Sequence, residues 1–320
     1  MTLKAGIIAA IIGLTSITGF SQKTDSLINE LDSLKKQTDT TGQTNRTELA
    51  FYNEKTKITP RVFGILLLDD FKQQALSPFH VAKKGWLTGA GFAALTAGVR
   101  FLDEPIQKWA VNLRNNNPWS EKYSRALTNS GGLYEVVPLA GIAAYGFAFK
   151  NEKLRTTTYL ALQSYITSTV WSTIFKTLSG RTRPANFDPN SPLNDPRFYG
   201  PFKKLPYGGN SSFPSGHTTL AFAAATVYAK EYKDVPAVPI ISYTVASLIS
   251  LSRITENRHW ATDVITGAAL GYLSGTQVVN NYHRYAKLQR TKGGKQKKGK
   301  LTANIQYMNG QLVPGLVFMF

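Results

Sequence analysis

The chain has 320 residues, with 37 Lys and Arg against 19 Asp and Glu for a formal net charge of +18, and it contains no cysteine. That composition excludes a disulfide framework and thiolate metal sites. The positive excess suits an anionic substrate or an anionic membrane surface.

The N-terminus reads as a secretory signal over residues 1–21. Lys4 gives a positive start, residues 5–18 form an apolar stretch, and Gly19-Phe-Ser21 places small residues before a cut at Gln22. An uncleaved anchor is the other reading of the same pattern. Residues 22–60 are rich in Ser, Thr, Gln, Lys and Asp and are expected to form a flexible mature N-terminal segment. Residues 61–285 follow as one helical domain. Its apolar segments lie at 85–99, 136–149, 156–175, 218–229, 236–252 and 261–279, all rich in Ala, Gly, Ser, Thr and Leu. The expected fold is all-α, a bundle of six helices. Most segments fall short of the ~20 residues that a bilayer crossing needs, and the mean hydropathy is −0.18. A membrane-embedded bundle and a periplasmic one both fit.

Charge narrows the membrane version. Lys150, Lys153 and Arg155, then Lys230 and Lys233, then the basic tail alternate with the segment ends that carry the motifs below. Five spans, without 85–99, would put these cations in the cytoplasm and the motifs outside. The loop 184–213 is rich in Pro, Asn and Gly and offers a substrate entrance. Residues 286–300 read as a basic linker. Export, and the lack of interleaved aromatics there, argue against a nucleic-acid partner. Residues 301–320 hold two extended runs about Asn309-Gly310, a hairpin signal.

Three stretches carry the chemistry. They are Lys176-Thr-Leu-Ser-Gly-Arg-Thr-Arg183-Pro184, Pro214-Ser215-Gly216-His217 and Ser252-Arg253-Ile-Thr-Glu-Asn-Arg-His259-Trp-Ala-Thr-Asp263. Two of the chain's four histidines sit here; His80, in a loop, and His283, near a helix end, are given no role. Three fixed cations and a hydroxyl suit a phosphoryl group, whose transfer is governed by positioning and electrostatic stabilisation. Lys176, Arg183 and Arg253 would bind its oxygens, the arginines bidentately. Ser215 adds a donor. Gly216 permits close backbone approach at the start of a helix, whose free N–H groups attract anions. His259 and Asp263 are four apart, one face of a helix, and a carboxylate beside an imidazole fixes its tautomer. Gly180 stops the helix that bears Lys176, and Pro184 makes Arg183 extended. No convergent carboxylate cluster suggests a metal, and no cofactor is expected.

The pattern Lys-x6-Arg-Pro, Pro-Ser-Gly-His and Ser-Arg-x5-His-x3-Asp resembles that of the type 2 phosphatidic acid phosphatase and haloperoxidase superfamily. The resemblance spans residues 176–263 and matches every specified identity. It implies a helical bundle of that type. It implies His259 as a nucleophile forming a phosphohistidine, oriented by Asp263, and His217 as the acid that protonates the leaving alkoxide. It also implies a metal-independent phosphatase acting on a phosphomonoester or diphosphate of a lipid, or on a small phosphoester; the signal-like N-terminus and the charge pattern add the expectation of a membrane-associated or periplasmic protein with its site facing the periplasm. A vanadium-dependent haloperoxidase and a non-catalytic phosphate-binding envelope protein are the alternatives.

Overall fold

The computed structural model describes residues 21–37, 43–129, 133–186, 198–201, 211–294, 300–308 and 311–319. The first 20 residues, with the expected signal, lie outside them, as do most of the 184–213 loop and the Asn309-Gly310 turn. The described residues hold ten α-helices. In chain order they are α1 (Ser21–Gln37), α2 (Pro60–Leu76), α3 (Lys83–Val99), α4 (Asp103–Asn115) and α5 (Pro118–Asn129). Then come α6 (Leu133–Ala148), α7 (Glu152–Ser179), α8 (Gly216–Glu231), α9 (Ala237–Thr255) and α10 (Ala261–Gly294). The six apolar segments lie almost wholly within α3 and α6 through α10. Of the other four helices, α1, α4 and α5 are more polar, which hid them from a reading based on apolar runs. The backbone of Lys300–Met308 pairs antiparallel with Gln311–Met319.

Helix ends follow local chemistry. Thr59 caps α2 by accepting from the Val62 N–H at 3.3 Å, with Pro60 opening the helix. Asn151 caps α7 the same way, accepting from Leu154 N–H at 3.0 Å. α7 stops where Gly180 turns left-handed at φ 56°, its N–H returning to the Lys176 carbonyl.

The core forms where α7, α8 and α10 meet. Leu160 and Ala161, Val227, and Val278, Val279 and Tyr282 are buried together there. α8 and α10 pack most closely of all, and three glycines explain it. A Cβ on Gly267, Gly271 or Gly275 would stand 2.7, 2.3 or 2.6 Å from the backbone oxygens of Ser215, Thr219 or Ala223. This stripe at four-residue spacing holds the start of α8 against the start of α10, and both bear site residues. α9 closes on α8 through Ala221, Ala225, Ala246 and Ile249.

Two expectations need correction. The polar stretch 22–60 is not loose over its described residues, 22–37 and 43–60. It contains α1, and Leu31, Tyr52 and Ile58 are buried in the main core. Polar anchors add to this: Lys153 donates to the Thr47 carbonyl at 2.6 Å and Asn45 to Asn280 at 2.8 Å. Few apolar side chains suffice when each is fully buried. Likewise α10 continues through the first part of the basic linker to Gly294. His283 lies well inside α10, buried, 2.7 Å from Glu231, whose other oxygen accepts from Tyr52 at 2.6 Å. It helps seat the N-terminal segment.

Candidate active site

The motif residues converge at one end of the α7, α8 and α10 core. Lys176 lies in the last turn of α7. Its Nζ would stand 2.9 Å from a Cβ on Gly216, so a side chain there would displace the ammonium. Beyond Gly180 the strand-like 181–183 segment is pinned on both sides. Ser212 N–H donates to the Arg181 carbonyl at 3.0 Å and Trp260 Nε1 to the Thr182 carbonyl at 2.9 Å. Gly180 is required twice over, since a Cβ would also meet the Gly200 oxygen at 2.7 Å. Arg183 donates to Ser211 at 3.0 Å, while its buried Nε has no protein partner.

Ser215 occupies the N-cap of α8 without using its hydroxyl to cap the helix. That oxygen accepts from Thr218 at 3.0 Å, which leaves its own proton available. The Ser215 N–H donates to the Asp263 carbonyl at 3.0 Å and ties the second motif to the third. Arg253 is buried in the last turn of α9, its guanidinium on Ser252 at 3.0 Å. The chain then reverses through Asn257, at φ 57°, and the His259 N–H returns to the Arg253 carbonyl at 3.1 Å.

His259 and Asp263 do not share a helix face. His259 precedes α10, and Asp263 lies in its first turn, reaching back to accept from the Trp260 N–H at 2.9 Å. His259 Nδ1 lies 2.7 Å from the Ser212 carbonyl and 3.7 Å from Asp263 Oδ2. A carbonyl only accepts, so Nδ1 carries the proton and Nε2 holds the lone pair. Ser212 therefore fixes the tautomer, a role that sequence spacing had given to Asp263. Asp263 adds charge alongside and accepts from the Ser212 hydroxyl as well.

Sequence reasoning also missed a buried ionic chain behind the site. Arg181, fully buried, donates to Asp263 Oδ1 at 2.5 Å and to Asp103 Oδ2 at 2.6 Å. Thr262 bridges the same groups, its N–H reaching Asp103 Oδ1 at 2.9 Å and its hydroxyl Asp103 Oδ2 at 2.7 Å. Arg181 stood inside the first motif at an unspecified position, and Asp103 lies 73 residues before Lys176; only the fold joins them.

Electrostatics follow from this crowding. Burial pushes the His217 imidazolium down to about 3, helped by Arg253, His259, Lys176 and Arg183. Burial also lowers His259, against the opposing pull of Asp263. Burial alone would raise Asp263, but its hydrogen bonds and the Arg181 charge prevail and hold it below the usual carboxylate range. The site thus holds a pair of histidines whose charged forms are disfavoured, set among three cations. Among the described residues no three His, Asp or Glu side chains gather as a metal site.

Comparison with known proteins places these motifs. Residues 156–287 match the family model described as PAP2 superfamily. Over 66 residues the chain is 53% identical to a lipid A 1-phosphatase of Porphyromonas gingivalis, a match covering 20% of this chain and 15% of that protein. Over 188 residues it is 28% identical to phosphatidylglycerophosphatase B of Bacillus subtilis, covering 56% of this chain and 82% of that one. Among solved structures, Aquifex aeolicus LpxE aligns with a TM-score of 0.40 at 25% identity, over 54% of this chain and 92% of that one. The transmembrane PAP2 type phosphatidylglycerolphosphate phosphatase from Bacillus subtilis aligns at 0.42 and 24% identity, over 65% and 95%. All three motifs lie within the segment that matches the PAP2 superfamily model.

Proposed function

We propose that this chain, whose residues 156–287 match the PAP2 superfamily model, is a metal-independent phosphatase that hydrolyses a phosphomonoester or diphosphate of a lipid through a phosphohistidine. The observation that carries the reading is the His259 ring. Its Nδ1–H is held by the Ser212 carbonyl at 2.7 Å, which directs the basic Nε2 to the reacting phosphorus. In the first step Nε2 forms a bond to phosphorus as the bond to the leaving oxygen breaks. Lys176, Arg183, Arg253, the Ser215 hydroxyl and the first N–H groups of α8 stabilise the charge on the equatorial oxygens. Asp263 stabilises the cationic ring that results.

His217 supplies the proton that the leaving alkoxide takes up. In the empty site it is neutral, because burial and four cationic or imidazole neighbours disfavour its charge. A bound phosphate dianion offsets most of that positive charge, so substrate itself raises the proton affinity of His217. Neutral again after the first step, His217 takes a proton from water, whose oxygen attacks phosphorus. The N–P bond breaks, and phosphate and free His259 are restored.

A lipid substrate is supported by the surface around the site. α4 and α5 are held to the motif-bearing end by Gln107 to Asn257 at 2.5 Å and Ser124 to Thr255 at 2.7 Å. They expose Trp109, Trp119 and Tyr123, with Phe101 and Leu102 just before them. Aromatics exposed at that level suit a headgroup boundary. α9 exposes Ile240, Ile241, Val245, Leu248 and Leu251, and among the described helices it alone is long and apolar enough to cross a bilayer. We assign the protein to the cell envelope with the site facing the periplasm, in keeping with the signal-like N-terminus. The phosphatase core with a closing hairpin over 301–320 belongs to the same reading.

The test is a panel of lipid and soluble phosphates assayed in EDTA. Turnover should persist in chelator and be blocked by vanadate. His259→Ala should abolish turnover and trapping of a phosphoenzyme on every substrate. His217→Ala should lose far less on nitrophenyl phosphate, whose leaving group needs no proton, than on an alkyl phosphate. Equal losses on both would remove the acid from His217. Activity lost in EDTA and restored by a divalent cation would overturn the mechanism as a whole.

A further inference from the structure

A second cationic site lies at the opposite end of α10. A cavity of about 590 Å³ opens there, with Gln43, Thr44, Arg46, Phe51, Lys287 and Arg290 in its wall. Lys287 is 24 residues beyond Asp263 on a continuous helix, roughly 36 Å at 1.5 Å per residue. No phosphate group reaches both places, so this is not an extension of the first site.

The charge arrangement is unusual for a surface. The guanidinium carbons of Arg46 and Arg290 both lie near one ring, 5.2 and 4.3 Å from the Phe51 centroid. Lys287 lies one turn before Arg290 on the same helix. Among the described residues, none that lines the cavity is acidic and no carboxylate pairs with these three cations. His283, in the same wall, is itself taken up by Glu231 at 2.7 Å. Isolated surface cations spread apart or find carboxylates. Three gathered around one cavity, two of them held against the same aromatic ring, repel one another until an anion enters. The ring fixes the guanidiniums while leaving their N–H edges open, because a cation–π contact uses the face and not the donors. Gln43 and Thr44 add neutral donors. The volume falls within the range of small-molecule sites.

We propose that this cavity is a non-catalytic binding site for a phosphate group, either the headgroup of an anionic phospholipid or a soluble phosphate. It has two arginines and one lysine, as the catalytic cleft does, but no histidine free to attack and no hydroxyl at a helix start. It therefore binds without turnover.

Equilibrium dialysis of the full chain against labelled inorganic phosphate tests this, with sodium chloride matching the ionic strength throughout. The wild type should bind two equivalents. Arg46→Gln/Arg290→Gln should bind one, with turnover of a soluble substrate and its inhibition by phosphate unchanged, which also shows that the variant is folded. Should that double variant lose turnover, Lys287→Gln decides: it should weaken the second equivalent roughly tenfold, the worth of one charge-assisted bond, at unchanged turnover. Micelles containing phosphatidylglycerol that displace the second equivalent, where phosphatidylcholine does not, identify a lipid headgroup as the occupant. Retention of the second equivalent in those micelles identifies soluble phosphate. A single equivalent in the wild type overturns the proposal. So does a second equivalent bound equally well by Lys287→Gln and by any folded double variant.

Discussion

Asp263 divides its two oxygens among several partners, and each division has a measurable consequence. Oδ1 accepts from Arg181, while Oδ2 accepts from the Trp260 N–H and from the Ser212 hydroxyl. Arg181 in turn is shared with Asp103, so one buried cation compensates two buried carboxylates. Removing the cation strands both anions. Arg181→Met should therefore cost about 3–5 kcal/mol in chemical denaturation, the penalty of breaking a buried pair. Asp103→Asn leaves Arg181 paired with Asp263 and should cost less. A smaller loss for Arg181→Met than for Asp103→Asn would show that the arginine is not the compensating charge. A second consequence concerns protons. Burial, helped by the surrounding cations, pushes the His217 imidazolium down to about 3, and a dianion offsets the cationic part of that effect. Binding of sulfate, which has no protonation of its own near neutrality, should take up a proton and tighten as pH falls from about 7 to 5. Calorimetry in buffers of different ionisation enthalpy reads that uptake directly, and it should shrink in His217→Ala. The same uptake in the variant would assign the proton elsewhere. At this scale the sequence motifs named Lys176, Arg183, Arg253, His217 and His259, which the fold brings close enough for their charges to act on one another. They could not reveal Ser212, Arg181 or Asp103, because a carbonyl has no signature in residue type and an ion pair across 78 residues leaves none in spacing.

The α8 and α10 pairing shows how element packing sets site geometry. Gly271 faces the Thr219 carbonyl so closely that a Cβ would lie 2.3 Å from it, and the obstacle is backbone rather than a flexible side chain. Gly271→Ala must push the helices apart, and overpacking of this kind costs about 1–3 kcal/mol. The shift also moves Ser215 and His217 relative to Asp263, so kcat should fall along with stability. Gly89 in α3 is the control. Nothing lies within 4 Å of its Cβ position, so Gly89→Ala should be neutral or stabilise by up to about 1 kcal/mol through helix propensity. Equal unfolding midpoints for the two variants would refute the packing argument. The long apolar segments were legible because a buried helix must be apolar over many residues. α1 was not, since its mean composition is polar and it is anchored by few buried residues, Leu31 foremost. α4 and α5 escaped for the same reason. The glycine stripe at 267, 271 and 275 was present in the sequence, but which helix it faces is a tertiary fact.

On the scale of the molecule, the two ends of the core differ in chemistry and the middle differs from both. One end holds the three motifs; the other holds Lys153, Lys230, Lys233, Lys287 and Arg290. Between them, α7 exposes Val170 and Ile174 and α9 exposes Ile241, Val245 and Leu248. An apolar band between two polar ends requires a cover, and lipid supplies one without any specific partner. That polarity gives the orientation proposal a direct test, because the chain has no native cysteine and single labels have no background. Asn186, exposed beside Pro184 at the motif end, becomes one probe as Asn186→Cys. Lys233, exposed beyond the end of α8, becomes the other as Lys233→Cys. The two lie at opposite ends of α8, itself roughly 24 Å long at 1.5 Å per residue. In intact cells, a thiol reagent that crosses the outer membrane but not the inner should label Asn186→Cys. Shielding of Lys233→Cys in the same cells means that the core crosses the inner membrane; labelling of both means that it stands wholly in the periplasm. If Asn186→Cys reacts only after the inner membrane is broken, the site faces the cytoplasm, and the envelope substrate and the exported N-terminus fall together while the chemistry of His259 stands.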